Sequence, residues 1–193
     1  MLFRSIMMQL VGEHGVAAIT ILLYGQFLFN AFYLGFTIGI SPIVGFQYGA
    51  RDKQKLRNIY HTSFLFVAVS SVFMAVIAIV LSPTIVTIFT DDPATYELAA
   101  AGFRLFAINF LFSGISITSS GFFTALSNGT ISAVISFCRT LGFIVLSLLI
   151  LPKFLGITGA WIAIPVAEFC TLLVTGVMHF VYFWKPGIRN YLR

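Results

Sequence analysis

The stretch Gly35–Arg57, GFTIGISPIVGFQYGARDKQKLR, decides the class of this protein. It is apolar and rich in glycine as far as Ala50. A basic cluster then follows, formed by Arg51, Lys53, Lys55 and Arg57. Charged side chains are costly in hydrocarbon, and basic loops are retained on the cytoplasmic side. The boundary at Ala50 therefore predicts the inner end of a membrane-spanning helix.

Within this stretch, small residues recur four positions apart, as Gly35 with Gly39 and Gly45 with Gly49. This spacing places them on one face of a helix, where a neighbouring helix backbone can approach closely in lipid. Pro42 lies between the two pairs and lacks a backbone N–H, so a bend is expected there. We therefore predict a glycine-lined packing face around a proline bend.

The composition supports the same class along the whole chain. Of 193 residues, 59% are hydrophobic and only 9% are charged. The mean hydropathy is +1.01, whereas a soluble chain carries about 25% charged residues. We expect an all-α, polytopic transmembrane bundle over residues 1–193. The net charge of +5 sits mainly beside the apolar segments, so the expected partner is membrane lipid rather than nucleic acid.

Five apolar segments are long enough to cross a bilayer. The predicted spans are 16–48, 59–89, 94–125, 131–151 and 160–184. Polar turns are expected at Gly12–Gly15, Thr90–Pro93, Ser127–Thr130 and Gly156–Gly159. The opening segment 1–10 is too short to cross and resembles the end of a helix that begins upstream. Sorting of basic residues to the inside, including Lys185, Arg189 and Arg193 of the tail, predicts a cytoplasmic C-terminus.

A stripe of polar side chains runs along the third predicted span. Steps of three or four residues place Asn109, Ser113, Ser116, Ser120 and Thr124 on one helical face. The stripe is a candidate wall of a hydrated substrate cavity. The alternative, which we favour, is a packing seam in which small polar residues make weak hydrogen bonds between helices.

Three charged residues, Arg104, Arg139 and Glu168, lie well inside predicted spans. Arg104 and Glu168 lie about 13 Å from the outer surface, and Arg139 lies at a similar depth from the inner surface. An ion pair between Glu168 and one of the arginines is therefore possible. Glu168 is interpreted either as a carboxylate that couples transport to protons or cations, or as a structural counter-ion, which we favour.

The other reactive residues show no pattern typical of an enzyme. His14, His61 and His179 lie near span ends, where interfacial placement is expected, and their spacing matches no metal site. Cys138 and Cys170 fall inside predicted spans, which argues against a disulfide framework or a zinc site. Because no nucleophile–base set, phosphate-binding loop or carboxylate pair is present, we predict no catalytic residue, no metal and no cofactor.

The order of motifs resembles a known transporter family. Gly15–Ile19 (GVAAI), then Gly39–Ala50 (GISPIVGFQYGA) with its basic loop, is similar to the second helix of the C-terminal lobe of multidrug and toxic compound extrusion transporters. The run Phe122–Arg139 (FFTALSNGTISAVISFCR) is similar to the join between the tenth and eleventh helices. Within the family the chain looks most like the MepA-type branch.

The resemblance implies twelve helices in two six-helix lobes, of which this chain carries about helices eight to twelve. A missing N-terminal lobe is then the expected partner. The family exports amphipathic, often cationic, drugs in exchange for sodium or protons. A bacterial plasma-membrane location and a contribution to antibiotic resistance are therefore expected. The family's coupling carboxylates lie largely outside this chain, and none can be assigned to a residue here.

Two alternatives remain open. A flippase for lipid-linked precursors belongs to the same superfamily, but the few intramembrane arginines argue against the cationic cavity that a pyrophosphate substrate needs. A truncated membrane protein without transport activity, or a subunit that only packs against a partner, is the other alternative.

Overall fold

The computed structural model describes residues 2–184, and the predicted basic tail with Lys185, Arg189 and Arg193 lies outside the described residues. The described part is helical throughout, as the apolar composition predicts. Its helices are α1 (Leu2–Val11), α2 (Glu13–Gly49), α3 (Lys53–Val80), α4 (Ser82–Phe89), α5 (Pro93–Phe106), α6 (Phe110–Ala125), α7 (Gly129–Phe137) and α8 (Phe143–Trp184). A 3₁₀ turn (Ala107–Asn109) joins α5 to α6, and a π-helical turn (Cys138–Gly142) joins α7 to α8.

Short polar side chains begin three of these helices. Asp52 accepts a hydrogen bond from the Lys55 amide at 3.0 Å, and Asp92 accepts one from the Thr95 amide at 2.9 Å. Asn128 caps α7 in the same way, at 3.3 Å. Such caps satisfy amides that have no partner in the first helical turn. α5 begins directly after Asp92, within the turn predicted at Thr90–Pro93, and Pro93 occupies the first turn of α5.

The polar turn predicted at Gly12–Gly15 is shorter than expected. Only Gly12 leaves the helical conformation, with φ 78°, and α2 begins at Glu13. A positive φ costs glycine little, so one residue is enough to reverse the chain. His14 and Gly15 therefore belong to the first turn of α2 rather than to a loop.

Gly156 divides the last helical run into two arms. Within the described residues, four helical runs are long and apolar enough to cross a membrane, and the last extends from Gly129 to Tyr182. A straight helix would place Arg139 and Glu168 about 44 Å apart, yet their side chains are 3.0 Å apart. The chain therefore folds back between them, at Gly156, whose φ of 56° and ψ of −133° are non-helical.

The turn at Gly156 is tight. A Cβ atom on Gly159 would collide with the carbonyl of Leu151, so only glycine fits between the two arms there. We call residues 143–155 the first arm and residues 157–184 the second arm. Each arm is close in position to one of the predicted spans 131–151 and 160–184.

Two larger apolar clusters, and a small third one of Tyr33, Val67 and Ile117, hold the bundle together. The larger, here called the dry core, joins α1, α2, α5 and the second arm, and in it Phe103 packs on Gly25 and Trp161 packs on Gly102. The smaller joins the ends of α2, α3 and α6 to the start of α7 and the end of the second arm. These ends therefore meet at one end of the bundle, here called the basic-loop end because it adjoins residues 51–57.

The glycine face predicted on α2 does not pack against a helix in the described part of the chain. A Cβ atom added to Gly35, Gly39 or Gly49 would meet no atom within 4 Å, and one on Gly45 would meet only the Ala125 carbonyl, at 3.6 Å. Close packing occurs at other glycines, where aromatic rings rest on the backbone, and the packing role of the α2 glycines stays a prediction.

The proline at position 42 does not interrupt α2. The helix continues through Pro42 to Gly49, and the Ser41 hydroxyl donates to the Thr37 carbonyl at 2.7 Å. A hydroxyl that bonds back to the preceding turn often accompanies helix bending. The bend predicted at Pro42 stays a prediction.

Candidate functional site

A buried ion pair lies in the interior of the bundle. The Arg139 Nε atom donates to both carboxylate oxygens of Glu168, at 3.0 and 3.2 Å. The side chain of Glu168 is 1% exposed and that of Arg139 is 17% exposed. A charge in such surroundings is costly unless it is paired, and each partner here neutralises the other. The sequence predicted a pair between Glu168 and an arginine, and the structure brings Arg139 to that position.

The π-helical turn aims the Arg139 side chain. A π turn closes with hydrogen bonds from residue i to i+5, so it holds one more residue than an α-helical turn. The extra residue rotates the side chains that follow relative to those of α7. Arg139 is the second residue of the turn, which spans Cys138–Gly142. Such turns occur frequently at functional sites.

A cavity of about 350 Å³ has the ion pair in its wall and is here called the main cavity of the site. A larger cavity, of about 520 Å³, lies elsewhere, between α1, α2 and the end of α4. Its polar wall consists of Gln26 and Asn30 of α2, Arg139 and Thr140 of the π turn, and Glu168 of the second arm. Leu23, Phe27, Leu34, Ile117 and Ile144 complete the lining. The Oδ1 atom of Asn30 is buried and accepts no hydrogen bond from the described residues. The main cavity thus combines apolar walls with a few convergent polar groups, as ligand sites commonly do.

A second cavity of about 210 Å³ adjoins the main cavity. Arg139 and Thr140 line both, together with Leu34 and Ile117. The other polar residues of the second cavity are Thr37, Ser116, Ser120 and Ser136. The two cavities together form a polar region that reaches from Glu168 to the contact between α6 and α7.

The polar stripe of the third predicted span divides between these surroundings. Asn109 and Ser113 are fully buried, and the Asn109 amide donates to the Phe106 carbonyl at 2.6 Å. Ser116 and Ser120 line the second cavity, whereas Thr124 is exposed and bonds to a neighbouring serine of α7. The stripe is therefore a packing seam at one end and a cavity wall in the middle. A role in substrate binding stays a prediction for all five residues.

Arg104 lies apart from the candidate site. It is exposed in the last turn of α5, and neither cavity includes it among its lining residues. In the sequence, Arg104 and Arg139 lie at similar depths in the membrane, so either was a candidate partner for Glu168. Depth alone does not specify the direction in which a helical side chain points, and this direction separates the two arginines.

His179 was expected at the membrane interface, but it lies between three helices near the basic-loop end. Its Nε2 atom is 3.0 Å from the Ser119 hydroxyl, and its Nδ1 atom is 3.3 Å from the Tyr60 hydroxyl. The ring of Phe123 packs on it, with ring centroids 4.7 Å apart. His179 therefore links α3, α6 and the second arm. A single polar residue in an apolar stretch was the only sequence signal for this contact.

The other two histidines follow the sequence more closely. His14 is half-exposed, and its Nδ1 atom is 2.9 Å from the Asp92 carboxylate, while His61 is exposed. Cys138 and Cys170 are free thiols. Over residues 2–184, no group of three or more histidine, cysteine, aspartate or glutamate side chains is placed to hold a metal ion.

A bundle of long apolar helices that holds a buried ion pair beside two cavities defines a multi-pass helical membrane protein. Comparison with known proteins identifies it further. Residues 1–149 match the MatE family model, which covers well over half of the chain. The protein belongs to the MatE family.

Relatives and solved structures agree with this assignment. The human multidrug and toxin extrusion protein 1 is 27% identical over 143 residues, which cover 72% of this chain and 24% of the human protein. A MATE family multidrug resistance transporter of the MOP superfamily in its outward-facing conformation matches with a TM-score of 0.85 at 20% identity, over 93% of this chain and 41% of that one. An inward-facing structure of such a transporter gives 0.85 at 20% identity, over 93% and 42%.

The chain thus matches about a quarter of the length of its curated relatives and about two fifths of the matching structures. At this identity the structural similarity establishes the fold. The fold is that of a MATE transporter, and the region matched corresponds in size to part of one.

Proposed function

We propose that this chain forms part of a multidrug efflux transporter that exports amphipathic or cationic drugs by antiport with sodium or protons. The observation that carries the proposal is membership of the MatE family over residues 1–149, together with a buried carboxylate beside a cavity of about 350 Å³. Relatives of the chain are named as extrusion proteins and transporters. We therefore propose transport without chemical turnover.

The geometry supports a mechanism of alternating access. The chain matches an outward-facing and an inward-facing transporter equally well, with a TM-score of 0.85 to each. This equality supports a lobe that keeps its shape while the complete transporter changes its facing. A bound ion biases such a change only if it binds the two states with different affinity. Glu168 is the buried carboxylate in this chain on which such a difference can act.

The main cavity supplies groups suited to an amphipathic cation. The side chains of Leu23, Phe27 and Leu34 provide apolar surface, and Gln26 and Asn30 provide hydrogen-bonding amides. The predicted Ser116 and Ser120 lie in the adjoining cavity. We propose that the drug pathway passes along this side of α2, because the polar groups that α2 contributes converge there.

The predicted partners and location remain part of the proposal. We propose a multi-pass protein of the bacterial plasma membrane, surrounded by lipid, with a cytoplasmic C-terminus and an N-terminal lobe as its partner. Reporter fusions test the orientation. Alkaline phosphatase fused after Thr90 should be active because that turn is expected outside, whereas the same fusion after Gln54 should be inactive. The opposite pattern would contradict the orientation.

Dye efflux in pump-deficient cells tests the function. This chain is expressed alone, and with a first lobe taken from a relative. Ethidium efflux that appears only with the first lobe is the expected result, since the pathway is proposed to lie between two lobes. No efflux in either case, with the protein verified in the membrane, would favour a packing subunit without transport activity.

A pair of substitutions then tests the pathway within the co-expressed transporter. Gln26→Leu removes an amide from the main cavity and should reduce efflux. Ser71→Ala is the matched control, because Ser71 of α3 is buried and lines neither cavity. If Ser71→Ala reduces efflux as much as Gln26→Leu, the pathway lies elsewhere.

A further inference from the structure

Four hydroxyl groups form a continuous hydrogen-bonded chain at the contact between α6 and α7, here called the hydroxyl chain. Thr124 Oγ1 donates to Ser132 Oγ at 2.7 Å. Ser132 Oγ and Ser120 Oγ are 2.9 Å apart, and Ser120 Oγ and Ser136 Oγ are 2.8 Å apart. Each hydroxyl can donate one hydrogen bond and accept two. The chain can therefore accept a proton at one end and release another at the other end.

The hydroxyl chain extends from the surface of the bundle to the second cavity. Thr124 is exposed in the last turn of α6, two residues before Leu126 of the apolar cluster at the basic-loop end. Ser136, at the other end, lines the second cavity together with Arg139 and Thr140. The Thr140 hydroxyl also donates to the Ser136 carbonyl at 2.7 Å.

The two cavities complete the route to Glu168. Arg139 and Thr140 line both, and Glu168 lines the main cavity. Volumes of about 350 and 210 Å³ exceed the roughly 30 Å³ that one water molecule occupies in the liquid. The walls are mainly apolar, but Ser136, Arg139 and Thr140 supply the polar partners that water needs there. Water can therefore carry protons between Ser136 and the carboxylate.

We propose that Glu168 is a proton-binding carboxylate that exchanges protons with the basic-loop end through the hydroxyl chain. This inference rests on the proposed function and specifies its coupling ion as a proton. In the forward step, a hydronium ion at Thr124 gives up a proton and becomes water. Each hydroxyl accepts one proton and passes one on, and a new O–H bond forms on Glu168. The four hydroxyls finish neutral, with their O–H bonds reoriented.

The surroundings of Glu168 favour a proton over sodium. Among the described residues that line the two cavities, Arg139 is the single cation, and its Nε atom contacts both carboxylate oxygens. A sodium ion needs several oxygen ligands at once, whereas a proton needs one free lone pair, which each carboxylate oxygen keeps beside its bond to Arg139 Nε. From the other elements around the main cavity, α2 contributes the amides of Gln26 and Asn30, and α6 contributes Ile117. Arg4 and Arg104, on helices that also pack against α8, are exposed and line neither cavity.

Protonation of Glu168 would release the Arg139 side chain. The pair would lose its attraction, and the guanidinium would need another acceptor in the main cavity. The buried Oδ1 atom of Asn30 has no donor among the described residues and lines the same cavity. Movement of Arg139 from Glu168 towards Asn30 would draw the π turn towards α2. This movement gives the protonated and deprotonated states different shapes.

Infrared spectroscopy after a rapid drop in pH tests the route. The complete chain is reconstituted in lipid nanodiscs, and the C=O band of a protonated carboxylic acid is followed with time. The double variant Arg139→Gln/Glu168→Gln assigns the band, since it removes Glu168 without leaving an unpaired buried arginine. The Glu168 component of the band is expected in the unmodified chain and is missing from the double variant, whereas the other five carboxylates contribute to both. A chain with no such component down to pH 4 overturns the proposal.

The hydroxyl chain is tested at its centre. Ser120→Ala removes the group that bonds to both Ser132 and Ser136, and it should slow the appearance of the band by about two orders of magnitude, the lower end for a positioned proton-transfer group. Ser113→Ala removes a buried hydroxyl from the same helix outside the hydroxyl chain and should leave the rate unchanged. Slowing by Ser120→Ala of less than about tenfold, or equal slowing by both variants, overturns the route.

The readout separates this inference from the proposed function. If the Glu168 band appears on acidification but the co-expressed transporter shows no drug efflux, export is contradicted and the proton site stands. Efflux without any Glu168 band would contradict the proton site and leave export in place.

Discussion

At the contact between α2 and α5, aromatic rings rest on glycine backbone, whereas at the contact between α6 and α7 hydroxyl groups bond to one another beside an ion pair. The first contact is part of the dry core, with Phe103 on Gly25. The second comprises the hydroxyl chain and the Arg139–Glu168 pair, here called the polar seam. In lipid, both kinds of contact can hold helices together, through close packing or through polar interactions.

The two regions differ in how easily their side chains can change partners. A close-packed contact has one good arrangement, because a displaced ring would lose many contacts at once. A hydroxyl or guanidinium can exchange one partner for another of similar energy. The dry core therefore suits a fixed frame, and the polar seam suits a part that changes state.

The largest expected effect comes from breaking the ion pair. Glu168→Ala leaves Arg139 as an uncompensated buried charge and should lower the free energy of unfolding by about 3–5 kcal/mol. Thermal unfolding in detergent measures the loss. The double variant Arg139→Met/Glu168→Met removes both charges and should cost much less. Equal losses in the single and double variants would show that the pair contributes through packing rather than charge.

An intermediate effect is expected in the dry core. A Cβ atom on Gly25 would lie 2.6 Å from Phe103 Cε2, so Gly25→Ala should destabilise the protein by about 1–3 kcal/mol, as overpacking does. Gly35→Ala is the matched control on the same helix, because a Cβ atom there meets nothing within 4 Å. Both variants are compared by thermal unfolding. A loss in Gly35→Ala as large as that in Gly25→Ala would mean that the glycine face of α2 is packed after all.

A smaller effect is expected where His179 joins the helices. Ser119→Ala removes the hydroxyl that contacts His179 Nε2 at 3.0 Å and should cost about 0.5–1.5 kcal/mol, the net value of one hydrogen bond. Thr130→Ala, at an exposed position on α7, serves as the control and should have little effect. If Ser119→Ala leaves the unfolding temperature unchanged, the His179 contact contributes no stability.

The smallest effect is expected at the Asp92 cap, outside the membrane-spanning segments. Hydrogen bonds from the side chain and amide of Thr95 hold the pKa of Asp92 below its ordinary value of 3.8, with help from His14. A carboxylate with a lowered pKa stabilises the fold above its unfolded-state pKa, and the contribution disappears as the pH falls through the folded-state pKa. Asp92→Ala should therefore lower the unfolding temperature slightly at pH 7.

The pH dependence of the unfolding temperature tests whether the Asp92 carboxylate is the stabilising group. The difference between Asp92→Ala and the unmodified chain should shrink as the pH falls below about 4. Asp91→Ala, the exposed neighbour, should show no such trend in the same unfolding measurements. A difference that grows towards low pH would contradict the assigned role of Asp92.

Much of the fold could be predicted because its causes are local. Apolar segments, the caps at Asp92 and Asn128, and the glycine turn near Gly156 each depend on a few neighbouring residues. The candidate site depends on directions that the sequence does not fix. Arg104 and Arg139 both reached a suitable depth for Glu168, but it is Arg139, in the π turn, whose side chain contacts the carboxylate.

Other differences have a similar physical origin. The spacing of Gly35 and Gly39 defines a face but does not specify which helix, if any, lies on it. His179 was expected at the interface because it lies near a span end, but the aromatic rings of α3 and α6 surround it. The hydroxyl chain combines the predicted Ser120 and Thr124 with Ser132 and Ser136 of α7. That combination requires knowledge of how α6 and α7 pack.

The hairpin at Gly156 has a consequence for synthesis of the protein. Arg139 leaves the ribosome 29 residues before Glu168, which corresponds to roughly 1.5–6 s at about 5–20 residues per second. During that interval the arginine has no counter-ion of its own. Because the turn is so short, the π turn and the two arms can enter the bilayer together with Arg139 and Glu168 already paired. We therefore expect the insertion machinery to hold the first arm at its lateral gate until the second arm arrives.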